Sequence, residues 1–307
     1  MTTVADQTDA RVEDVGTTRS SRRSGKRRGW SAGLVLVPVV FVILVFVYPV
    51  GSMFRLSFTE IFGDATGVLG NYRWYLTNDV QLAILRRTFV VAAWVTLICL
   101  LVGFPYAYLM TRVGPRTRLL MLAAVLLPFW SNIVARTYAW VILLGDVGPV
   151  RSVLKTVGLG DVHLIGNMTG VTIGAAQVLL PFMILPLYAT LNRIDLRLLD
   201  AAESLGAKPR RAFLGVYLPL ALPGILAGSL IVFILTLGFY FTPAFLGSTR
   251  NSLVSQQIVT QVNQLLAFGR GGAMALVLLS VALVLLAVVS LATRRLTKAL
   301  GSGTGGR

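Results

Sequence analysis

The sequence predicts an all-α membrane protein with six transmembrane helices and both termini in the cytoplasm. Charged residues make up only 13% of the chain and hydrophobic residues 55%, whereas an average soluble domain carries about 25% charged residues. Six apolar stretches reach the roughly 20 residues that a helix needs to cross the hydrocarbon core. Lys and Arg concentrate in alternate connecting segments, and this asymmetry sets the orientation of a membrane protein.

Four of the six apolar stretches contain no charged residue. Each is rich in Leu, Val, Ile, Phe and Ala and is long enough for one crossing. They are Trp30–Phe54, Thr88–Thr111, Leu164–Asn192 and Gly271–Thr293. The first of them predicts a transmembrane helix at residues 30–54.

The two remaining stretches are less regular. From Leu119 to about Leu144 the chain is apolar but contains Arg136. The stretch Ala212–Thr249 is uncharged but too long for a single crossing, so we expect only part of it to span the membrane. The next segment, Asn251–Gly269, is also uncharged, yet its polar side chains predict an amphipathic helix on the surface.

The distribution of basic residues predicts that both termini lie inside the cell. With the N-terminus inside, the cytoplasmic segments hold nineteen Lys and Arg residues and the outer segments eight. Residues 1–29 contain almost no large apolar side chains and predict a disordered basic tail, and residues 297–307 form a cytoplasmic C-terminal tail. A cleaved signal peptide is the alternative for the N-terminus, but the first apolar stretch exceeds the roughly 7–15 residues of a signal peptide and no small-residue cleavage site follows it.

Several classes of function are disfavoured by what the sequence lacks. It has no G-x-x-x-x-G-K-[ST] loop, so we expect no nucleotide hydrolysis by this chain alone, and no cluster of Cys, His and carboxylates with metal-ligand spacing. The predicted spans contain no Asp or Glu, which argues against an intramembrane enzyme and a proton-coupled transporter. The net charge of +16 flanks apolar stretches, which does not predict a nucleic-acid partner. We expect a transport subunit without a catalytic site, cofactor or metal; a stand-alone channel or secondary transporter is the alternative.

The segment of residues 193–222, between the fourth and fifth apolar stretches, predicts two short helices joined by a tight turn. Leu196, Leu199 and Ala202 recur at helical spacing and give the first helix one apolar face. Gly206 suits the left-handed residue that ends such a helix. We therefore predict a compact projection on the cytoplasmic surface. The alternative is an amphipathic loop whose apolar side rests on the bilayer.

Aspartate and proline residues mark the limits of these two helices. Asp195 has the side chain of a helix N-cap and precedes the first helix. Pro209 suits the first turn of the second helix, because proline has no N–H to leave unpaired there. Pro219 and Pro223 are then expected to stop the second helix and to redirect the chain into the fifth span, because proline breaks helix interiors.

This segment resembles the EAA loop of the permease subunits of binding-protein-dependent ABC importers. The matching residues are Asp200-Ala201-Ala202, Gly206 and the run Val216-x-Leu218-Pro219. Asp stands where the motif has Glu, and Val where it has Ile. The predicted cytoplasmic position before the last two spans also fits. The resemblance covers residues 84–296 and implies the transmembrane domain of a type I ABC importer, with the first span as an added N-terminal helix.

The resemblance implies that the EAA loop docks into a groove of a separate ATPase and transmits its movement. Leu199, Ala202 and Leu205 are the implied contacts, and Asp200 and Glu203 are partners for basic groups on the ATPase. The implied coupling residues are Asp200, Ala201, Ala202, Glu203, Leu205 and Gly206. The implied partners are a second permease subunit, identical or different, two cytoplasmic ABC ATPase subunits and an extracytoplasmic solute-binding protein.

The third, fourth and fifth spans are the candidates for lining the translocation path, because they contain prolines and small polar residues. Such residues are tolerated at membrane depth where they face protein or water. The alternative for the aromatic residues is a role as interface anchors or in packing. The candidate path residues are Trp130, Ser131, Asn132, Arg136, Tyr138, Tyr240 and Phe241.

Within this importer family, the run "PFWSNIVARTYAW" resembles the spermidine/putrescine permeases. A polyamine is a polycation, and the predicted spans offer it no acidic group, so its passage relies on aromatic faces and on carbonyls freed at prolines. Arg136 opposes a cation unless it points away or pairs, for example with Asp146. Transport of a phosphonate, ferric iron, sulfate or an opine by the same machinery is the alternative.

Overall fold

The computed structural model describes residues 37–60, 67–156, 158 and 163–301. The predicted basic tail of residues 1–29 and the start of the predicted first span lie outside this part of the chain. The chain divides into two compact units, Met1–Gly51 and Ser52–Arg307. Every regular element among the described residues is a helix, in agreement with the predicted all-α class.

The helices have the following bounds in chain order, where α1 and α9 each include a π turn, at Ile43–Val47 and Phe213–Tyr217. They are α1 (Val37–Thr59), α2 (Gly70–Thr77), α3 (Asp79–Arg112), α4 (Pro115–Leu126), α5 (Ile133–Leu144), α6 (Pro149–Thr156), α7 (Met168–Leu191), α8 (Arg197–Ser204), α9 (Pro209–Leu237), α10 (Phe241–Leu246), α11 (Val254–Val259) and α12 (Phe268–Gly301). Among the described residues, six segments are long and apolar enough to cross a membrane, the number that the sequence predicts.

The helices extend beyond the uncharged stretches from which the spans were predicted. Helix α1 continues past the predicted end at Phe54, through Arg55, to Thr59. Helix α3 begins at Asp79 because the side chain of Asn78 accepts hydrogen bonds from the first backbone N–H groups, at 3.0 and 3.2 Å. A charged residue therefore marks where the chain leaves the apolar layer and not where the helix ends.

The prediction that Pro219 and Pro223 end the second helix of the cytoplasmic segment is wrong, because α9 continues without a break to Leu237. A π turn at Phe213–Tyr217 lies directly before Pro219. Proline breaks an α-helix because it lacks an N–H and its ring meets the carbonyl four residues earlier. The wider π turn shifts those carbonyls and leaves room for the first ring, and neighbouring helices tolerate the second one within the membrane.

The prediction that Asn251–Gly269 forms an amphipathic helix on the surface is also wrong. Four consecutive residues, 252–255, are buried, and the helix is short, with α11 followed by a π turn at Thr260–Gln264. The Val254 N–H donates to Thr88 Oγ1 at 3.0 Å, and Ser255 Oγ donates to the Phe239 carbonyl at 2.8 Å. The polar side chains find partners inside the protein, and for that reason the segment does not need to face water.

The core is formed by α3, α7 and α9, which pack closely on one another. Cys99 of α3, Met183 of α7 and Val232 of α9 are fully buried in one cluster. A Cβ atom at Gly228 of α9 would lie 2.8 Å from the sulfur of Met183, and one at Gly103 of α3 would lie 3.1 Å from its Cγ. Small residues allow helix backbones to approach closely in membranes, so these two glycines set the spacing of the three helices.

Candidate coupling helix and translocation path

Helix α8 projects from the end of α7, and both of its ends are built as the sequence predicts. Asp195 Oδ1 accepts a hydrogen bond from the Arg197 N–H at 3.0 Å at the start of the helix. Gly206 has φ +88°, and the Ala207 N–H returns to the Ala202 carbonyl at 3.1 Å. This is the geometry of a left-handed helix end. The turn leads into α9, whose first residue is Pro209.

One apolar face of α8 packs against its own subunit. Leu196 and Leu199 are half-buried and pack against the main hydrophobic cluster, and Ala202 is half-buried on the same side. The resemblance implies Leu199 and Ala202 as contacts for a separate ATPase. In this structure both side chains are half-buried against their own subunit, which leaves less of their surface for a partner.

The outward face of α8 carries a second apolar stripe. Leu198 is 46% exposed and Leu205 is 89% exposed, and Ala201 lies between them on the exposed side. Positions i, i+3 and i+7 share one face of a helix. The carboxylates of Asp200 and Glu203 are also exposed, and neither forms an ion pair with another described residue. An exposed apolar stripe has the character of a protein-binding surface.

An aromatic cluster joins the start of α9 to the end of α3, directly beyond the turn that follows α8. The rings of Phe213 and Tyr217 stack at 5.2 Å within the π turn, and the ring of Tyr108 meets them edge-on at 5.9 and 5.4 Å. The Arg112 guanidinium lies over the Tyr108 ring at 5.0 Å. Sequence reasoning missed this cluster, although the i, i+4 spacing of Phe213 and Tyr217 is a signal for it. The cluster therefore links the start of α9 to the end of α3 through direct ring contacts.

The third crossing consists of two helices in series and not of the single helix that the sequence predicts from Leu119 to about Leu144. Length and hydropathy alone mark Ile133–Val153 as the candidate span, but α5 ends at Leu144 and a helix of 12 residues is only about 18 Å long. Packing along α7 identifies the full crossing as α4 followed by α5. The successive contacts are Arg118 with Tyr188, Phe129 with Phe182, and Trp140 with Gln177.

The break between α4 and α5 lies at mid-membrane depth, because the adjacent Phe129 contacts Phe182 near the middle of α7. A 3-10 turn, Leu127–Trp130, ends at Ser131. Asn132 Oδ1 then accepts from the Val134 N–H at 2.8 Å and starts α5. Backbone groups freed within a membrane need such partners.

The side chain of Arg136, one turn into α5, donates hydrogen bonds back to Ser131 in this break. Its Nε and Nη2 donate to Ser131 Oγ at 3.2 and 3.1 Å, and Nη2 also donates to the Ser131 carbonyl at 3.2 Å. The pairing with Asp146 considered from the sequence is not formed. Asp146 Oδ1 is bonded instead by Arg151 and lies 3.0 Å from His163 Nδ1.

A cavity of about 360 Å³ opens beside the break. Two of the predicted path residues, Ser131 and Arg136, line it. Sequence reasoning did not name the aromatic and aliphatic side chains that form the rest of the wall. Phe129 and Ile133 flank the break itself, and the others come from helices distant in the chain. These residues are Phe129, Ile133, Val178, Leu179, Phe182, Leu235 and Phe239.

The other predicted path residues lie outside this cavity. Trp130 is 87% exposed and Tyr138 54% exposed, and Asn132 uses its side chain as a helix cap. Tyr240 and Phe241 contact each other at the start of α10, with ring centroids 5.7 Å apart. The structure therefore brings together the polar residues of the break and separates them from these aromatic residues.

A helical domain with six candidate membrane segments, a short projecting helix and a cavity beside a break in the third crossing has the architecture of a membrane transport subunit. Residues 119–301 match the family described as binding-protein-dependent transport system inner membrane component. The match covers more than half of the chain. The protein belongs to this family: it is a multi-pass inner-membrane permease subunit of an ABC importer and not an enzyme.

Two curated relatives have similar sequences over most of their length. The spermidine/putrescine transport system permease protein PotB of Haemophilus influenzae is 32% identical over 74% of this chain and 82% of its own. PotB of Escherichia coli K12 is 30% identical over 85% of this chain and 95% of its own.

Solved structures share the fold. A chain in the crystal structure of a bacterial alginate ABC transporter, in complex with an alginate pentasaccharide-bound periplasmic protein, superimposes with a TM-score of 0.69. The superposition covers 88% of this chain and 96% of that chain at 20% identity. At this identity the likeness concerns the fold alone, and it agrees with the predicted type I importer domain.

Proposed function

We propose that this permease forms the membrane path for a polyamine, spermidine or putrescine. The observation that carries the proposal is the 32% and 30% identity to two PotB proteins over most of both chains. The cavity beside the break offers aromatic faces from Phe129, Phe182 and Phe239. Aromatic rings attract cations without a fixed negative charge, which suits a polycation that must be released after each cycle.

Helix α8 is the proposed contact with a cytoplasmic ABC ATPase. Leu198, Ala201 and Leu205 supply the apolar contact, and Asp200 and Glu203 pair with basic groups of the ATPase. Gly206 provides the turn, and Ala202 holds the helix against the permease. A rigid helix anchored in the core transmits the displacement of the ATPase, whereas a flexible loop absorbs it.

The complete transporter in this proposal contains a second permease subunit, identical or different, two ATPase subunits and an extracytoplasmic solute-binding protein. The permease itself supplies no nucleotide site. The N- and C-termini face the cytoplasm, which follows from the distribution of Lys and Arg.

An anionic solute such as a phosphonate or sulfate is the second candidate. The observation that favours it is Arg136, whose guanidinium lines the cavity and is bonded to the uncharged Ser131. A guanidinium recognises oxyanions well. Under this alternative the same machinery operates with another binding protein.

Uptake into proteoliposomes tests the choice. The full complex is reconstituted with its binding protein and ATP, and uptake of labelled spermidine and putrescine is compared with that of a phosphonate and sulfate. ATP-dependent polyamine uptake supports the proposal; uptake of an anion alone refutes it. The permease reconstituted by itself serves as the control, because solute flux through this chain alone would instead indicate a channel or a secondary transporter.

A further inference from the structure

Arg136 has a special position among the charges of the described membrane segments. The other charged residues of these segments lie nearer helix ends, such as Asp79 and Arg112 at the limits of α3 and Arg210 in the first turn of α9. The deepest of them in α3 are Arg86 and Arg87, about two turns inside its start. Arg136 lies beside the break in the third crossing, opposite the middle of α7. A fixed positive charge thus occupies the mid-depth of the membrane domain.

The charge of Arg136 is held in place but not neutralised. Its hydrogen-bond partners are the hydroxyl and carbonyl oxygens of Ser131, and among the described residues it forms no ion pair with Asp or Glu. The nearest acidic residue along the chain, Asp146, is occupied by Arg151 and His163. The two-point attachment to Ser131 fixes the guanidinium at the cavity wall.

The apolar residues around the Arg136 guanidinium screen its charge only weakly. Apart from Ser131, the residues that line the cavity with Arg136 have apolar side chains. Coulomb interactions are several times stronger in such surroundings than in bulk water. A small cation that enters the cavity meets this field without an acidic group among the lining residues to offset it.

We propose that Arg136 is an electrostatic barrier that prevents protons and small inorganic cations from leaking through the permease. Fixed arginines act in this way in other membrane pores. The inference rests on the proposed function, because it takes the cavity to lie on the translocation path. A polyamine carries several positive charges and is repelled more strongly by the same arginine, so its passage depends on the work supplied by ATP hydrolysis in the complex, whereas a passive ion has no such drive.

Passive flux through the reconstituted complex tests the barrier. Potassium and proton fluxes are measured without ATP or solute for the wild type, Arg136→Gln and Arg136→Lys. Glutamine removes the charge and keeps a donor for Ser131, whereas lysine keeps the charge and loses the two-point attachment. We expect the glutamine variant to leak roughly tenfold faster or more and the lysine variant to remain close to the wild type. A tight glutamine variant, or a lysine variant as leaky as glutamine, overturns the inference and indicates a structural cap alone.

The wild-type complex provides a second measurement that does not depend on the folding of a variant. Under opposing gradients of potassium and chloride, the reversal potential of its residual leak should indicate a preference for chloride. A preference for potassium overturns the inference. Neither flux measurement requires a solute, so a failure of polyamine uptake in the wild type refutes the proposed substrate and leaves the result on the barrier separate.

Discussion

The ring of Phe213 stacks on that of Tyr217 at 5.2 Å with an interplanar angle of 19°, and this pair lies inside the π turn near the start of α9. The ring of Tyr108 of α3 packs edge-on against both rings. π turns often occur at functional sites, and this one lies a few residues beyond the turn that follows α8. We propose that the cluster couples α8 to the membrane domain.

Replacement of Phe213 by Leu should uncouple transport from ATP hydrolysis. The substitution keeps an apolar side chain but removes the aromatic pairs, each of which contributes about 0.5–1.5 kcal/mol. We expect the solute moved per ATP hydrolysed to fall, while ATPase binding stays normal. The matched control is Leu214→Ala in the same π turn, because Leu214 is 60% exposed. An unchanged transport stoichiometry in Phe213→Leu contradicts the coupling role of the cluster.

The two faces of α8 should respond differently to substitution. Leu205→Ser should weaken binding of the ATPase without a loss of thermal stability, because Leu205 is 89% exposed. Leu199→Ser should lower the melting temperature, because Leu199 packs against the core cluster. Co-purification of the ATPase and the thermal unfolding of the permease measure the two effects. If Leu199→Ser alone loses the ATPase at unchanged stability, the assignment of the faces is wrong.

Which residues are tolerated at position 206 should depend on the backbone conformation and not on the space available for a side chain. Its φ is +88°, and no atom lies within 4 Å of the position of an added Cβ. A β-branched residue at left-handed φ is strained, and Asn tolerates this region better than other residues. We expect Gly206→Val to lose ATP-driven transport and Gly206→Asn to keep most of it. Equal transport rates in both variants mean that the turn is not required for coupling.

The number of spans and the limits of the coupling helix follow from the sequence, because apolar runs and capping residues act locally. Which residues form the outward face of α8 does not follow from the sequence. Periodicity identifies Leu196, Leu199 and Ala202 as one face, but which face covers the same subunit depends on the neighbouring helices. The continuation of α9 through Pro219 depends on a π turn that has no simple sequence signature. The full cavity wall was not predicted either, because it combines side chains from three helices whose packing is not visible in the sequence.

The close approach of α9 to α7 should make Gly228 sensitive to a single methyl group. A Cβ atom there lies 2.8 Å from Met183 Sδ and 3.1 Å from the Met183 carbonyl oxygen. Overpacking of this kind costs about 1–3 kcal/mol, so Gly228→Ala should reduce the stability measured by thermal unfolding in detergent. Gly215→Ala is the matched control, because nothing lies within 4 Å of its added Cβ and alanine favours a helix. Equal losses in both variants contradict the proposed contact.

Cysteine labelling should establish the orientation predicted from the basic residues. Val147 is 100% exposed in the turn after α5, and Leu205 is 89% exposed beside α8; the predicted topology assigns the first to the outer side and the second to the cytoplasm. A membrane-impermeant maleimide should label Val147→Cys in intact cells and Leu205→Cys only after the membrane is opened. The native Cys99 is fully buried, so it should add no background. The reverse pattern of labelling means that the termini face outwards and that α8 cannot meet a cytoplasmic ATPase.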